Sequence, residues 1–155
     1  MGIFQALSNR LNSRKYFEAP DKAYHTYYYK EWKVEEDNGL FRFYHPTKRK
    51  GYVEISFLHN DHDRHFNFIE SQMEKYKEFK PRRFNKGDQH HLVVQKHVET
   101  EKGLAMADIF IVSTIKGLII GSYNMPPKKD WGKDHQEILK ERKEAQRMFK
   151  VMELK

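Results

Sequence analysis

Apolar and polar residues alternate along the middle of the chain with the period of a β-strand. In residues 52–58, Val53, Ile55 and Phe57 fall on one side and polar residues lie between them, as expected when one face of a strand is buried. Two earlier segments, residues 30–36 and 40–45, are also predicted to be strands. The turn Asp37-Asn38-Gly39 joins them, because Asn and Gly accept positive φ angles. The three segments predict an antiparallel meander.

A helix and a second meander are predicted next. Phe66, Ile69 and Met73 recur at helical spacing. They predict a helix over residues 66–80, which Pro81 ends. Three further strands are predicted at residues 90–100, 104–115 and 118–124. The second of these is apolar on both faces, which is typical of a strand that is covered on both sides.

Both ends of the chain have helical patterns. Ile138, Ala145 and Phe149 belong to an apolar stripe on an otherwise charged segment, and predict a helix over residues 134–150. A similar stripe predicts a short amphipathic helix within residues 2–12, followed by an irregular segment, residues 13–22.

The predicted order of elements is α–βββ–α–βββ–α. This order is typical of an α+β protein, with one six-stranded, mainly antiparallel sheet built from two meanders and helices packed on it. The length of 155 residues predicts a single domain. Its core would span residues 23–155, with a peripheral helix and loop in residues 1–22.

One stretch of the first meander resembles a known family. The stretch is Asn38-Gly39-Leu40-Phe41-Arg42-Phe43-Tyr44-His45-Pro46, followed by the strand Gly51-Tyr52-Val53-Glu54-Ile55-Ser56. Together with the element order, it is similar to the PsbP-like (Mog-type) α/β/α sandwich, over roughly residues 30–152. The resemblance implies a three-layer fold. It also implies a mostly non-enzymatic role, since members include photosystem subunits, a nuclear import factor that binds a small GTPase, and bacterial secretion-effector chaperones. The resemblance transfers no functional residue.

Composition excludes some chemistry. The chain has no cysteine, which rules out disulfides, thiolate metal sites and a cysteine nucleophile. No segment is long and apolar enough to span a bilayer, and the start of the chain has no signal-peptide pattern. We therefore expect a cytoplasmic protein that does not span a membrane.

The net charge of +7 makes nucleic acid or another polyanion a possible partner. The basic residues are densest in residues 75–86 and 48–50, where a solvated surface is the alternative interpretation. The candidate polyanion-binding residues are Lys48, Arg49, Lys50, Lys80, Arg82, Arg83 and Lys86. This alternative requires that the two stretches share one face.

A third hypothesis is a metal-dependent enzyme. Residues 59–65 contain three His and two Asp, which are metal-ligand and acid–base types. The segment lies between a predicted strand and a predicted helix, so a solvated polar loop is the favoured interpretation. No nucleotide-binding, hydrolase or zinc-protease motif accompanies it. We therefore assign no catalytic residue, no metal ligand and no cofactor.

The leading hypothesis is a non-enzymatic protein-interaction or adaptor module. Aromatic residues make up 14% of the chain, and aromatic side chains on a surface are common interface anchors. Packing inside the core is the alternative for such residues. The candidate binding residues are Tyr27, Tyr29, Trp32, Tyr44 and Trp131.

Overall fold

The computed structural model describes residues 13–20, 22–47, 50–59, 65–114 and 117–154. The described strands are β1 (Arg14–Glu18), β2 (Tyr24–Tyr29), β3 (Lys33–Asp37), β4 (Leu40–Tyr44), β5 (Tyr52–His59), β6 (Arg82–Lys86), β7 (Gln89–Thr100), β8 (Gly103–Ser113), β9 (Gly117–Asn124) and β10 (Glu153–Leu154). The described α-helices are α1 (His65–Lys75), which a 3-10 turn at Lys77–Phe79 follows, and α2 (His135–Lys150).

Seven of the described strands form one antiparallel sheet in the order β3-β4-β5-β9-β8-β7-β6. Three others form a small antiparallel sheet in the order β1-β2-β10. The first hairpin turns at Asn38 and Gly39 with φ angles of 50° and 84°, as the sequence predicts. The fold is therefore α+β with a large antiparallel sheet, which confirms the predicted class.

The large sheet is covered on both faces. On one face, Ile69 of α1 packs with Leu92 and Ile111 of the sheet. On the other face, Met148 and Phe149 of α2 belong to the larger core cluster, which also contains side chains of β4, β5, β8, β9 and the small sheet. The apolar residues on both faces of β8 thus reflect burial on both sides.

Two polar contacts attach α2 to the sheets. The guanidinium of Arg142 donates to both carboxylate oxygens of Asp108 on β8, at 2.7 and 2.8 Å. Asp108 is 1% exposed. On the small sheet, the hydroxyl of Thr26 donates to the carbonyl oxygen of Met148 at 2.6 Å. These contacts fix the position of the helix relative to both sheets.

Strands β1 and β6 lie where the sequence predicts none. Arg82–Lys86, part of the basic stretch, pairs with β7 as an edge strand, so the large sheet has seven described strands instead of six. Arg14–Glu18 lies in the segment that was predicted to be irregular and pairs with β2. Both strands are mostly polar, so periodicity does not reveal them. The predicted helix in residues 2–12 lies outside the described residues.

Gly121 lets α2 approach the sheet closely. A Cβ atom at this position would lie 2.0 Å from a ring carbon of Phe149, and that ring stacks on Phe110 at 4.2 Å. We expect Gly121→Ala to lower the free energy of unfolding by about 1–3 kcal/mol, because the ring must move out of a packed core. Urea unfolding would measure the loss. Pairing Gly121→Ala with Phe149→Leu should restore part of it, and an unchanged single variant would contradict the packing shown here.

The structure also bears on membrane topology. Within the described residues, no helix is both long enough and apolar enough to cross a bilayer.

Candidate functional site

The outer face of the small sheet carries aromatic side chains. Along β2, Tyr24 and Thr26 point into the core and are 1% and 0% exposed. Their neighbours His25, Tyr27 and Tyr29 therefore lie on the opposite face, because successive side chains of a strand alternate. Tyr27 is 42% exposed.

Tyr16 of β1 completes this surface. It is 49% exposed and lies directly opposite Tyr27 in the strand pairing. The two rings meet edge to face, with centroids 5.5 Å apart, and Tyr16 lies 5.3 Å from the ring of His25. We call the set Tyr16, His25, Tyr27 and Tyr29 the aromatic strip. Regular strand pairing holds it in place, so little side-chain or backbone conformational freedom would be lost on binding.

The strip leads to a cleft of about 520 Å³ beside α2. Tyr29 and Trp32 line one side of it, with ring centroids 6.4 Å apart. Glu144 of α2 lines the other side and forms an ion pair with Arg14 at 2.7 Å. The cleft is thus continuous with the strip at Tyr29.

Glu141 of α2 also lines the cleft and joins three elements. Its Oε1 accepts hydrogen bonds from the backbone N–H of Gly51 at 2.6 Å and from the hydroxyl of Tyr123 at 2.7 Å. Burial raises the pKa of Glu141, and its hydrogen-bond donors act in the opposite direction. Burial, together with the carboxylate of Glu141, raises the pKa of Tyr123, so the phenol stays protonated and donates. The arrangement stabilises the contact between β5, β9 and α2.

The remaining charges of the cleft are mixed. His45 lies 3.6 Å from Glu31, and Lys50 lies 3.0 Å from Asp134 at the start of α2. Three further glutamates and two further lysines also line the cleft, namely Glu137, Glu141, Glu144, Lys140 and Lys143. Since both signs are present, charge alone selects neither a cation nor an anion here. Among the described lining residues there is no Ser or Thr that could act as a nucleophile.

Both tryptophans that the sequence predicts as binding residues are buried. Trp32 is 6% exposed and Trp131 is 4% exposed, and the indole N–H of Trp131 donates to the carbonyl oxygen of Pro126 at 2.8 Å. The expectation that both are exposed anchors is therefore wrong, because their large apolar areas pack into the core instead. Trp32 still lines the cleft with one side.

Tyr44 is separated from the other predicted aromatic residues. It follows the buried Phe43 on β4 and so lies on the face of the large sheet opposite α2. Its hydroxyl donates to the carboxylate of Glu35 on β3. The structure brings together Tyr27, Tyr29 and Trp32, and leaves Tyr44 and Trp131 elsewhere.

The described basic residues are spread across the large sheet. Lys50 precedes β5 and is paired with Asp134, whereas β6 is four strands away in the sheet, or about 19 Å. Lys80 precedes β6, with a left-handed φ of 52°. Lys48 and Arg49 lie outside the described residues.

The basic residues of β6 are themselves divided between two faces. Arg82 and Lys86 share one face of the strand because they are four positions apart. Arg83 lies on the other face and is paired with Glu70 of α1. Part of the charge is therefore already neutralised.

The candidate metal segment, residues 59–65, is rich in His and Asp. Residues 60–64 lie outside the described residues. In the part of the chain that the structure does describe, no group of three or more His, Asp or Glu residues could hold a metal ion.

Sequence reasoning missed Tyr16, Glu141 and Arg142. Tyr16 lies in a segment without a run of apolar residues, although Tyr16 and Phe17 both favour strands. Glu141 and Arg142 lie between Ile138 and Ala145, at positions that complete the apolar stripe of α2. Charged residues at such positions were a signal of a buried polar network.

No known family model matches this chain, and no curated protein matches its sequence. A solved structure from Bacteroides thetaiotaomicron VPI-5482 is similar, with a TM-score of 0.70 and 18% sequence identity. The match covers 92% of this chain, which spans about half (49%) of the Bacteroides chain.

A second solved structure is that of cyanobacterial PsbP (CyanoP) from Synechocystis sp. PCC 6803. Its TM-score is 0.56 at 9% identity, and the match covers 92% of this chain and 93% of that one. Identities this low are evidence for the fold and for nothing further. The chain therefore has a PsbP-like α+β fold.

Proposed function

We propose that this protein is a non-enzymatic interaction module that binds a protein partner through the aromatic strip. The observation that carries the proposal is the pair Tyr16 and Tyr27. Their rings are in contact, and they remain 49% and 42% exposed on a regular sheet.

Tyrosine suits such a role for physical reasons. It supplies a large apolar ring with a polar tip, and it loses little conformational freedom on binding. Neighbouring groups fix the strip further, since His25 lies 3.3 Å from the carboxylate of Glu153. The cleft beyond Tyr29 would accept a side chain of the partner, with Lys143 available for hydrogen bonds.

The cytoplasmic location expected from the sequence is part of the same proposal. The lack of cysteine agrees with a reducing compartment. Cell fractionation of the tagged chain would test this part separately.

The proposal predicts that a double variant, Tyr16→Ala with Tyr27→Ala, loses its partner. Proteins captured from lysate at about 0.1 M and 0.4 M salt with nuclease would be identified by mass spectrometry, because apolar anchors are screened little by salt. A partner confirmed with purified protein should bind the double variant at least about 30-fold more weakly, as expected for loss of hot-spot residues. The fold should persist because both side chains are exposed.

Leu58→Ala is the matched control. Leu58 is 53% exposed and lies on β5, away from the strip, so this variant removes an exposed apolar side chain elsewhere on the surface and should keep the partner. Equal loss in both variants would contradict the assignment to the strip. Binding that disappears with nuclease or at the higher salt would instead indicate a polyanion.

A further inference from the structure

A second surface, on the other side of α2 from β5, is apolar and concave. It is a groove of about 480 Å³ between β6, β7 and the last turn of α2. This volume lies within the range of small-molecule sites in proteins. The groove shares no residue with the aromatic strip or with the cleft beside it.

Two aromatic stacks form the walls of this groove. Phe84 stacks on His91 with ring centroids 4.8 Å apart and nearly parallel planes, at 14°. Phe110 stacks on Phe149 at 4.2 Å and 12°. Phe84 is 50% exposed, so a large apolar ring stands open to whatever enters between the stacks. A chain of methylene groups or a flat aromatic ring would fit between these walls.

His91 adds to the apolar character of the groove. Burial lowers the pKa of His91 below its ordinary value of 6.5, and the charges of Lys86 and His90 lower it further. The imidazole is therefore uncharged at neutral pH. Its Nε2 lies 3.0 Å from the side-chain oxygen of Gln89, which leaves the ring face available for stacking.

The polar groups of the groove are basic and neutral. Lys86, at the end of β6, and Lys150, at the end of α2, both line it and are exposed. The other polar lining residues are amides and the imidazole, and no Asp or Glu is among the described residues that line it. An apolar body with one negative charge matches this combination, since the charge can remain near solvent beside two ammonium groups.

We propose that this groove binds a small carboxylate with an apolar body, such as a medium-chain fatty acid. The apolar chain lies between the two aromatic stacks, and the carboxylate lies at the rim beside Lys86 and Lys150. The proposal is independent of the protein partner proposed above, because the two surfaces have no residue in common.

The test uses matched ligands on the full chain. Octanoate, octan-1-ol and octylammonium each have eight carbon atoms and differ in charge, and the apolar chain of octanoate is the shorter by one methylene group. Calorimetric titration should show octanoate binding about tenfold more tightly than either of the others, as two partly exposed ion pairs would provide. From hexanoate to octanoate the affinity should rise about fourfold per methylene group. Methyl NMR shifts of Val93 and Val112, which line the groove, would locate the site.

Substitutions in the groove separate the contribution of charge to ligand binding from the contribution of shape. Replacing both Lys86→Gln and Lys150→Gln should weaken octanoate about tenfold and leave octan-1-ol unchanged. The control Lys102→Gln with Lys133→Gln makes the same change in net charge away from the groove and should bind octanoate normally. Phe84→Ala should weaken all the ligands that bind.

Three results would overturn the proposal. The first is that octanoate does not bind, or binds no better than octylammonium. The second is that the Lys86 and Lys150 double variant binds octanoate like the parent chain. The third is self-association in sedimentation that Phe84→Ala abolishes and octanoate leaves unchanged, which would assign the groove to a second copy of this chain.

Discussion

Replacing Arg142 by methionine is expected to lower the free energy of unfolding by about 3–5 kcal/mol. The substitution leaves Asp108, which is 1% exposed, without the guanidinium that donates to both of its carboxylate oxygens. A buried charge without a partner is strongly unfavourable, because neither water nor a counter-charge solvates it. For a chain of this size, the melting temperature should fall by about 6–20 °C.

A double variant shows whether the charge is responsible. Asp108→Val combined with Arg142→Met removes both charges and keeps comparable volume, so it should recover most of the lost stability. Urea unfolding of the two variants and the parent chain, with constant m-values, makes the comparison. A single variant as stable as the parent, or a double variant as unstable as the single one, would contradict the proposed role of this ion pair.

The second large effect is expected at Glu141. Glu141→Leu should lower the free energy of unfolding by about 2–4 kcal/mol, because the N–H of Gly51 and the hydroxyl of Tyr123 lose their common acceptor. Leucine fills much of the same space and keeps water from replacing the carboxylate. Glu141→Gln is the matched variant, since its amide oxygen still accepts both bonds. We expect it to be close to the parent chain near pH 4.

The same pair of variants predicts a pH dependence. Burial raises the pKa of Glu141 in the folded protein above its ordinary value of 4.5, so the folded state holds this proton more tightly than the unfolded state. The contribution of Glu141 is therefore fully present below pH 4.5 and is lost as the pH rises through the raised value. Unfolding measured from pH 4 to pH 8 should show this loss in the parent chain relative to Glu141→Gln. Parallel pH profiles would contradict it.

The variants that test stability and the variants that test binding change different parts of the protein. Arg142 and Glu141 anchor α2 to the large sheet, and the aromatic strip lies on the small sheet, to which Thr26 and Met148 connect the helix. Loss of partner binding in the Tyr16 and Tyr27 double variant is informative provided that its unfolding free energy stays near that of the parent. Loss of binding in Arg142→Met would reflect unfolding.

Local pattern by itself determined much of the fold. The alternation in β5 and the apolar runs of β8 and β9 predict strands that the structure contains, and Asn38-Gly39 predicts the hairpin turn. The apolar stripe over residues 134–150 predicts α2. These signals are local because side-chain periodicity follows from the backbone geometry of one element.

The edge strands and the burial of the two tryptophans depend on tertiary structure. β6 and β1 are polar, and pairing with β7 and β2 supplies the hydrogen bonds that make them strands. The sequence around Trp32 and Trp131 fits a surface anchor and a core residue equally well. Their burial follows from which elements pack around them, and the sequence of one element does not contain that information.

The candidate sites also depend on tertiary structure. The aromatic strip needs Tyr16 and Tyr27 on paired strands, and the second groove needs Phe84 of β6 and Phe149 of α2 on two sides of one cavity. The polar network of α2 shows what the local sequence specifies and what the tertiary packing adds. The sequence by itself places charged residues on the apolar stripe at positions 141 and 142, and only the packed sheet provides Tyr123 and Asp108 as their partners. Periodicity specifies the direction of a side chain, whereas its neighbours depend on how distant elements stack.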